Sequence, residues 1–373
     1  MDDRNSRPEK MLKLNAEQLP LIYAVFTCCA LLFAFLINGL LLKLSRTLGV
    51  KNQPDDLVRW SPTTKPAVGG ISFYILFLFA VASYSILFPA VEYINNIVQF
   101  LGVMAACSLG FVVGLADDAY NTKPFLKFAA QLCSGIILIS TGTVINISGI
   151  PPIDYFITML WVVGLMNSIN MLDNMDGITT SVSISIILAG LYMIVSRGEL
   201  HSIYFITLLG VLAGLLGFLY FNWNPSKMYM GDTGSQFLGV FLAVVGIHYL
   251  WNGHAGPEFR IQTKQFIVAL LVFIVPIIDT TTVTINRLLK GKSPFVGGRD
   301  HTTHHLSYLG LSDRQVAYVF IAMSMTSVAL LVVIDKFIGA KWHYHHFAMF
   351  LLYFLLLFGF LYGITRKNKH LEK

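Results

Sequence analysis

Long stretches without Asp, Glu, Lys or Arg recur along this 373-residue chain, at 21–42, 67–91, 97–116, 128–153, 155–172, 177–196, 202–226, 233–251, 265–286, 315–334 and 347–365, with Asp279 the one exception. Each is about 18 residues or longer, enough for a helix to cross a hydrocarbon core of roughly 30 Å. A crossing segment must satisfy its own backbone hydrogen bonds, so these stretches predict helices. The reading is an all-α, polytopic integral membrane protein with about eleven transmembrane helices, forming a single membrane-embedded domain over 1–373. Charged residues make up 12% of the chain and hydrophobic ones 55%. That is about half the charge of a soluble protein, which excludes a soluble domain and a disordered chain.

Two of the eleven stretches are the least regular. The fifth ends in Asn167, Ser168 and Asn170, and the ninth carries Asp279. The first hydrophobic run has no small-residue cleavage site at its end and reads as a retained span. Cys28, Cys29, Cys107 and Cys133 all lie in apolar stretches without C-x-x-C spacing, so neither a disulfide framework nor a zinc site is indicated.

An odd number of spans puts the termini on opposite sides of the membrane. The odd-numbered loops and the C-terminal tail (366–373) carry roughly two-thirds of the 26 basic residues, so they are predicted to be cytoplasmic and the N-terminal segment (1–20) extracytoplasmic. Arg4, Arg7, Lys10 and Lys13 dissent from that assignment. The net charge of +6 is thus read as membrane orientation, with anionic membrane lipids as partners and no nucleic acid.

Polar chemistry gathers at the predicted cytoplasmic side. Asp117-Asp118 follow the third span; Asn167 to Gly177 run from the end of the fifth into the sixth; Gly231-Asp232-Thr233-Gly234-Ser235 open the eighth; Arg299-Asp300-His301-Thr302-Thr303-His304-His305 lie in the 287–314 loop. Adjacent carboxylates raise each other's pKa unless a cation compensates. Asp117 and Asp118 have a blander reading as a pair of solvated loop acids. With Asp173, Asp176 and Asp232 converging, an oxygen-ligand Mg²⁺ site is the better account, because Mg²⁺ takes one or two carboxylates plus substrate phosphates. Thr233 or Ser235 can cap the eighth span, and Gly69-Gly70 allow a close backbone contact. Lys65 is expected to face the polar cluster. Lys127 either does so too or snorkels to the interface. The histidines with Arg299 suit a phosphate, or a basic loop on anionic lipid. Gly291-Lys292-Ser293 ends like a Walker A loop, but Asn286 stands where its first glycine belongs, which excludes a P-loop.

In order, Lys65-Pro66-x-x-Gly69-Gly70, Asp117-Asp118 with Lys127 and Gln131, Asn167-x-x-Asn170-x-x-Asp173-x-x-Asp176-Gly177, Phe221-Asn222 through Gly231-Asp232-x-Gly234-Ser235, and Pro276-x-x-Asp279 through Arg287, Gly291, Ser293-Pro294-Phe295 and the histidines resemble the polyprenyl-phosphate N-acetylhexosamine-1-phosphate transferase superfamily. The likeness is greatest to its bacterial undecaprenyl-phosphate GlcNAc-1-phosphate branch. The His301-Thr302-Thr303-His304-His305 pattern departs both from the three consecutive histidines of the phospho-MurNAc-pentapeptide branch and from the His-Ile-His-His of the GlcNAc branch.

The resemblance implies transfer of a sugar 1-phosphate from a UDP-sugar to undecaprenyl phosphate, with release of UMP, at the cytoplasmic face of a bacterial inner membrane. It implies Asp117 and Asp118 as catalytic residues and Asp232 with Asn170 as ligands of Mg²⁺, for which Mn²⁺ substitutes. Asp173, Asp176, Gly177, Lys65, Arg299, His301, His304 and His305 would hold nucleotide and sugar, and Lys127 the lipid phosphate. A homodimer is common in the superfamily. The alternatives are the same reaction with phospho-MurNAc-pentapeptide or another UDP-HexNAc and, outside this class, a transporter built around Asp279.

Overall fold

The computed structural model describes residues 18–48, 65–88, 97–253, 262–293 and 298–367. The helices are α1 (Leu19–Leu48), α2 (Gly69–Leu87), α3 (Ile97–Tyr120), α4 (Pro124–Ser140), α5 (Pro151–Leu172), α6 (Ile178–Ser196), α7 (Ile203–Asn222), α8 (Gly231–Val245), α9 (Gln262–Val272), α10 (Ile274–Leu289), α11 (Thr302–Tyr308), α12 (Asp313–Val333) and α13 (Tyr344–Lys367). The all-helical, membrane-spanning reading holds. The number of spans does not: among the described residues nine helices are long and apolar enough to cross, or ten if the bent α9–α10 pair is one span.

The difference from eleven has two local causes. The fourth stretch was expected to be helical over 128–153, but α4 stops at Ser140 with 17 residues, about 25 Å of rise, and residues 141–150 are not helical. The ninth breaks at Phe273, where α9 and α10 meet at 80°. Pro276 has no N–H to offer the carbonyl one turn earlier, Val272, so the ladder fails there. The fifth, by contrast, is an unbroken 22-residue helix, because Asn167 and Asn170 find partners on α4 and α8.

At the centre stands α8, continued by a π-helical turn at Gly246–Trp251, with 94% of its most apolar stretch buried. Helices α3 and α5 pack along it, α4 packs on α3 and α5, and α1 and α2 lean on α7. By contrast α13 faces outward along almost its whole length, with 11% of its window buried, as expected for a helix facing lipid.

Two glycines set how closely α8 is approached. A Cβ on Gly114 of α3 would lie 2.2 Å from the Asp232 carbonyl oxygen, and one on Gly70 of α2 would lie 2.0 Å from the Gly234 nitrogen. The expected close contact at Gly69-Gly70 is therefore present, and α8's first turn is clamped between α2 and α3. Gly114→Ala should lower the melting temperature in detergent, since overpacking against backbone costs about 1–3 kcal/mol. Gly359→Ala, whose Cβ would meet nothing within 4 Å, is the control and should leave it unchanged. Equal melting temperatures for both variants would contradict the clamp.

Candidate active site

The polar segments lie at helix ends more than in loops. Asp117 and Asp118 are in the last turn of α3, Asn167 and Asn170 in the last turns of α5, and Asp232 is the second residue of α8. A tight turn at 121–123, with Asn121 at φ 52° and Pro124 opening α4, reverses the chain so that Asp117 meets Lys127. One Asp117 oxygen accepts from the Thr122 amide (3.0 Å) and hydroxyl, the other from Lys127 Nζ (3.2 Å). The same ammonium also pairs with Asp232 Oδ2. Lys127 thus bridges two carboxylates instead of snorkelling. Asn170 donates its Nδ2 to Asp232 Oδ1 (2.8 Å) and to Ser235 Oγ (2.9 Å), so it turns its N–H, not its carbonyl oxygen, to Asp232.

Asp118 points away from this centre, into the start of α8. Its Oδ1 accepts from the Asp232 amide (2.9 Å), and its Oδ2 accepts from the Thr233 amide (2.9 Å) and hydroxyl (2.6 Å). A helix start offers free N–H groups and positive dipole, and a carboxylate from another helix satisfies both. Neither Thr233 nor Ser235 caps α8, as the sequence had suggested. Asp118 does so across the α3–α8 contact.

A second group surrounds the α5–α6 connection. Asp176 accepts from the Ser226 amide (2.9 Å) and hydroxyl (2.8 Å) and from Asn224 (3.3 Å), and lies 3.6 Å from Lys65 Nζ. Lys65 also donates to Ser226 Oγ (3.0 Å) and lies over the Tyr229 ring. The Gly177 amide donates to Asn222 Oδ1 (3.1 Å). A parallel bridge between Ala67 and Tyr229 ties the segment carrying Lys65 to the one leading into α8. Asp173 keeps part of its surface accessible but is deeply set between the two groups. Burial and the charges of Asp232, Asp118 and Asp176 push its pKa up to about 7.

The histidines join through α11. Asp279, fully buried on α10, accepts from Thr302 N (2.9 Å) and Oγ1 (2.6 Å) and contacts His301 Nδ1 at 2.8 Å, so it anchors α11 and needs no transport role. Thr303 donates to Asn174 Oδ1 (2.7 Å), linking α11 to the loop that holds Asp173 and Asp176. Burial and the neighbouring His301 push the His304 pKa down to about 3, so that ring is neutral at physiological pH. His305 is fully buried, with its ring edge-on to Tyr308. Arg299 is exposed, while Arg287 makes a bidentate pair with Asp300 (2.7 and 2.8 Å). Burial would raise the Asp300 carboxyl, but Arg287 outweighs it and holds the pKa below the usual carboxylate range. Pro294 and Phe295 lie outside the described residues.

Among the described residues, no three His, Cys, Asp or Glu side chains converge as a metal cage. Asp117 and Asp232 share one ammonium, Lys127, and a divalent cation arriving with substrate phosphates would find carboxylate oxygens on both. The sequence gives no sign of Thr122, Asn224 and Ser226, which have no motif chemistry of their own and orient Asp117 and Asp176.

The raised Asp173 pKa has a definite sign for stability. An acid at 3.8 unfolded and about 7 folded opposes folding progressively as pH rises between those values, and by a constant amount above. Asp173→Asn should therefore raise the melting temperature of the substrate-free protein, with a gain that grows from pH 5 to pH 7 and then levels. A gain independent of pH would contradict this.

Residues 100–250 match the sequence profile of the family described as glycosyl transferase family 4. A probable undecaprenyl-phosphate N-acetylglucosaminyl 1-phosphate transferase of Bacillus subtilis (strain 168) is 26% identical over 340 residues, 88% of each chain. The undecaprenyl-phosphate alpha-N-acetylglucosaminyl 1-phosphate transferase of Escherichia coli (strain K12) is 26% identical over 87% of this chain and 86% of its own. A phospho-N-acetylmuramoyl-pentapeptide-transferase of Streptococcus pneumoniae serotype 2 is 29% identical over 67% of this chain and 76% of its own. The matched stretch contains Asp117, Asp118, Lys127, Asn170, Asp173, Asp176 and Asp232, residues that the fold assembles at one end of the bundle, and over that stretch the chain is similar to glycosyl transferase family 4.

Proposed function

We propose that this membrane enzyme transfers GlcNAc 1-phosphate from UDP-GlcNAc to undecaprenyl phosphate, releasing UMP and starting a cell-envelope polysaccharide at the cytoplasmic face of a bacterial inner membrane. The observation that carries this reading is Lys127 held between Asp117 and Asp232 at the ends of α3, α4 and α8. A cation between two acids at the ends of spanning helices suits two phosphates that meet at a membrane surface. The B. subtilis and E. coli relatives, similar over nearly their whole length, support the donor and acceptor.

In this mechanism an oxygen of the lipid phosphate attacks the sugar-bearing phosphorus of the donor. The bond from that phosphorus to the bridging oxygen breaks, and UMP leaves with the electron pair. Asp117, oriented by Thr122, takes the proton of the lipid phosphate, and Lys127 neutralises charge as the two phosphates approach. Asp232, its carboxylate fixed by Asn170, would hold Mg²⁺, or Mn²⁺ in its place. The ion supplies charge neutralisation on the pyrophosphate. Asp118 acts through α8 by holding the backbone of Asp232. Asp173, Asp176, Gly177 and Lys65 form the nucleotide side and the exposed Arg299 the sugar-phosphate side, while His301, His304 and His305 are buried behind it at the start of α11.

The S. pneumoniae relative favours a second reading, with phospho-MurNAc-pentapeptide as the transferred group. Purified protein in detergent, given undecaprenyl phosphate and each UDP donor with and without Mg²⁺, tests both. Labelled lipid-linked GlcNAc with UMP release, dependent on Mg²⁺, is expected. Asp117→Asn and Asp232→Asn should each lower kcat by about a thousandfold or more, while Asp335→Asn, at the other end of the bundle, should retain it. Product from the MurNAc-pentapeptide donor alone would move the substrate. No product from either donor would overturn the transferase reading.

A further inference from the structure

One helical turn deeper in the membrane than the Lys127–Asp232–Asn170 centre, the same three helices present three carboxamides. Gln131 follows Lys127 by four residues on α4, Gln236 follows Asp232 by four on α8, and Asn167 precedes Asn170 by three on α5. These spacings put each amide on the same face as the site residue above it. The amides bond to one another. Asn167 Nδ2 donates to Gln131 Oε1 (2.8 Å), Gln131 Nε2 donates back to Asn167 Oδ1 (3.3 Å), and Gln131 Nε2 also reaches Gln236 Oε1 (3.2 Å).

Their orientation follows from one backbone group. The Val163 carbonyl accepts from Asn167 Nδ2 (2.8 Å), which fixes which end of Asn167 faces Gln131. That choice fixes Gln131, and Gln131 in turn requires an oxygen from Gln236. The Gln236 Nε2 is left buried with no acceptor. Gln131 and Gln236 are 2% and 1% exposed. An apolar trio would avoid that penalty, so the layer stabilises little by itself. What it does supply is a register: only one height and rotation of α4 against α5 and α8 satisfies all these bonds together.

Helix α4 has the greatest need of such a device. It is only 17 residues long, packs mainly on α3 and α5, and leaves Phe125, Leu126, Phe128 and Ile136 exposed. Its side-chain bonds to α8 are Lys127–Asp232 above and Gln131–Gln236 below. We infer that Gln131, Asn167 and Gln236 are positioning residues that hold the Lys127 ammonium between Asp117 and Asp232. The catalytic consequence of this inference rests on the proposed transfer reaction; the geometric claim does not.

The test has two arms. In the first, a double-mutant cycle on melting temperature couples Lys127→Met with Asp232→Asn, in the wild-type and in the Gln131→Leu background. The coupling should fall by about half or more in the Gln131→Leu background. Unchanged coupling would overturn the inference, whatever reaction the protein catalyses. Should Gln131→Leu fail to fold, Gln236→Met removes one bond of the layer and is read in the same way.

In the second arm, Gln131→Leu should lower kcat for transfer by about tenfold or more, with KM for the UDP-sugar changed less than about twofold. Exchanging the pair, Gln131→Asn with Asn167→Gln, should restore most of kcat. A kcat per folded molecule equal to wild type would also overturn the inference. Absence of transfer by the wild-type protein would count against the proposed reaction alone, because the first arm still decides the geometry.

Discussion

The arrangement depends on a carboxylate placed against the start of a buried helix. Asp118 enters from α3 and accepts the first free N–H groups of α8, where no residue of α8 itself provides a cap. The α8 amides have no acceptor on their own helix, and a polar group left unsatisfied in a buried position costs about 1–3 kcal/mol. The contact forms only because Gly114 lets the two backbones meet. Once α8 is seated, Asp232 has one position, beside Asp117, and a cation must lie between them.

That cation comes from α4, a 17-residue helix packed on α3 and α5. Buried ion pairs rarely contribute much net stability, since desolvation offsets their attraction. The Asp117–Lys127–Asp232 bridge is therefore better understood as geometry than as glue. Its members reach the centre from helix ends, where side chains face the membrane surface while their backbones stay within a hydrogen-bonded ladder. Asp176 ties the α5–α6 connection to Ser226 ahead of α8, Asn174 ties it to α11, and Asp279 ties α11 to α10. In this way residues from about 65 to 305 come to face one small region.

Much of this was legible in the sequence because the bilayer imposes a simple rule: charge-free runs become helices, and polar clusters mark their ends. The rule miscounts where a run is apolar but not helical, as at 141–150, and where proline breaks a run, as at Pro276. It also read Asn167 and Asn170 as signs of an irregular span. Their partners, Gln131 and Asp232, lie 36 and 62 residues away and could not be paired by local pattern. For the same reason Asp117 and Asp118, neighbours in sequence, looked alike, although one faces Lys127 and the other the α8 backbone.

The central claim is that the ends of α3, α4 and α8 form one centre for a divalent cation and two phosphates. Electron paramagnetic resonance of Mn²⁺ with the detergent-solubilised protein and UDP-GlcNAc tests it most directly. One bound ion per chain is predicted, with affinity reduced about tenfold or more in Asp232→Asn and phosphorus coupling from the nucleotide in the bound spectrum. The same affinity in wild type and Asp232→Asn would contradict the account.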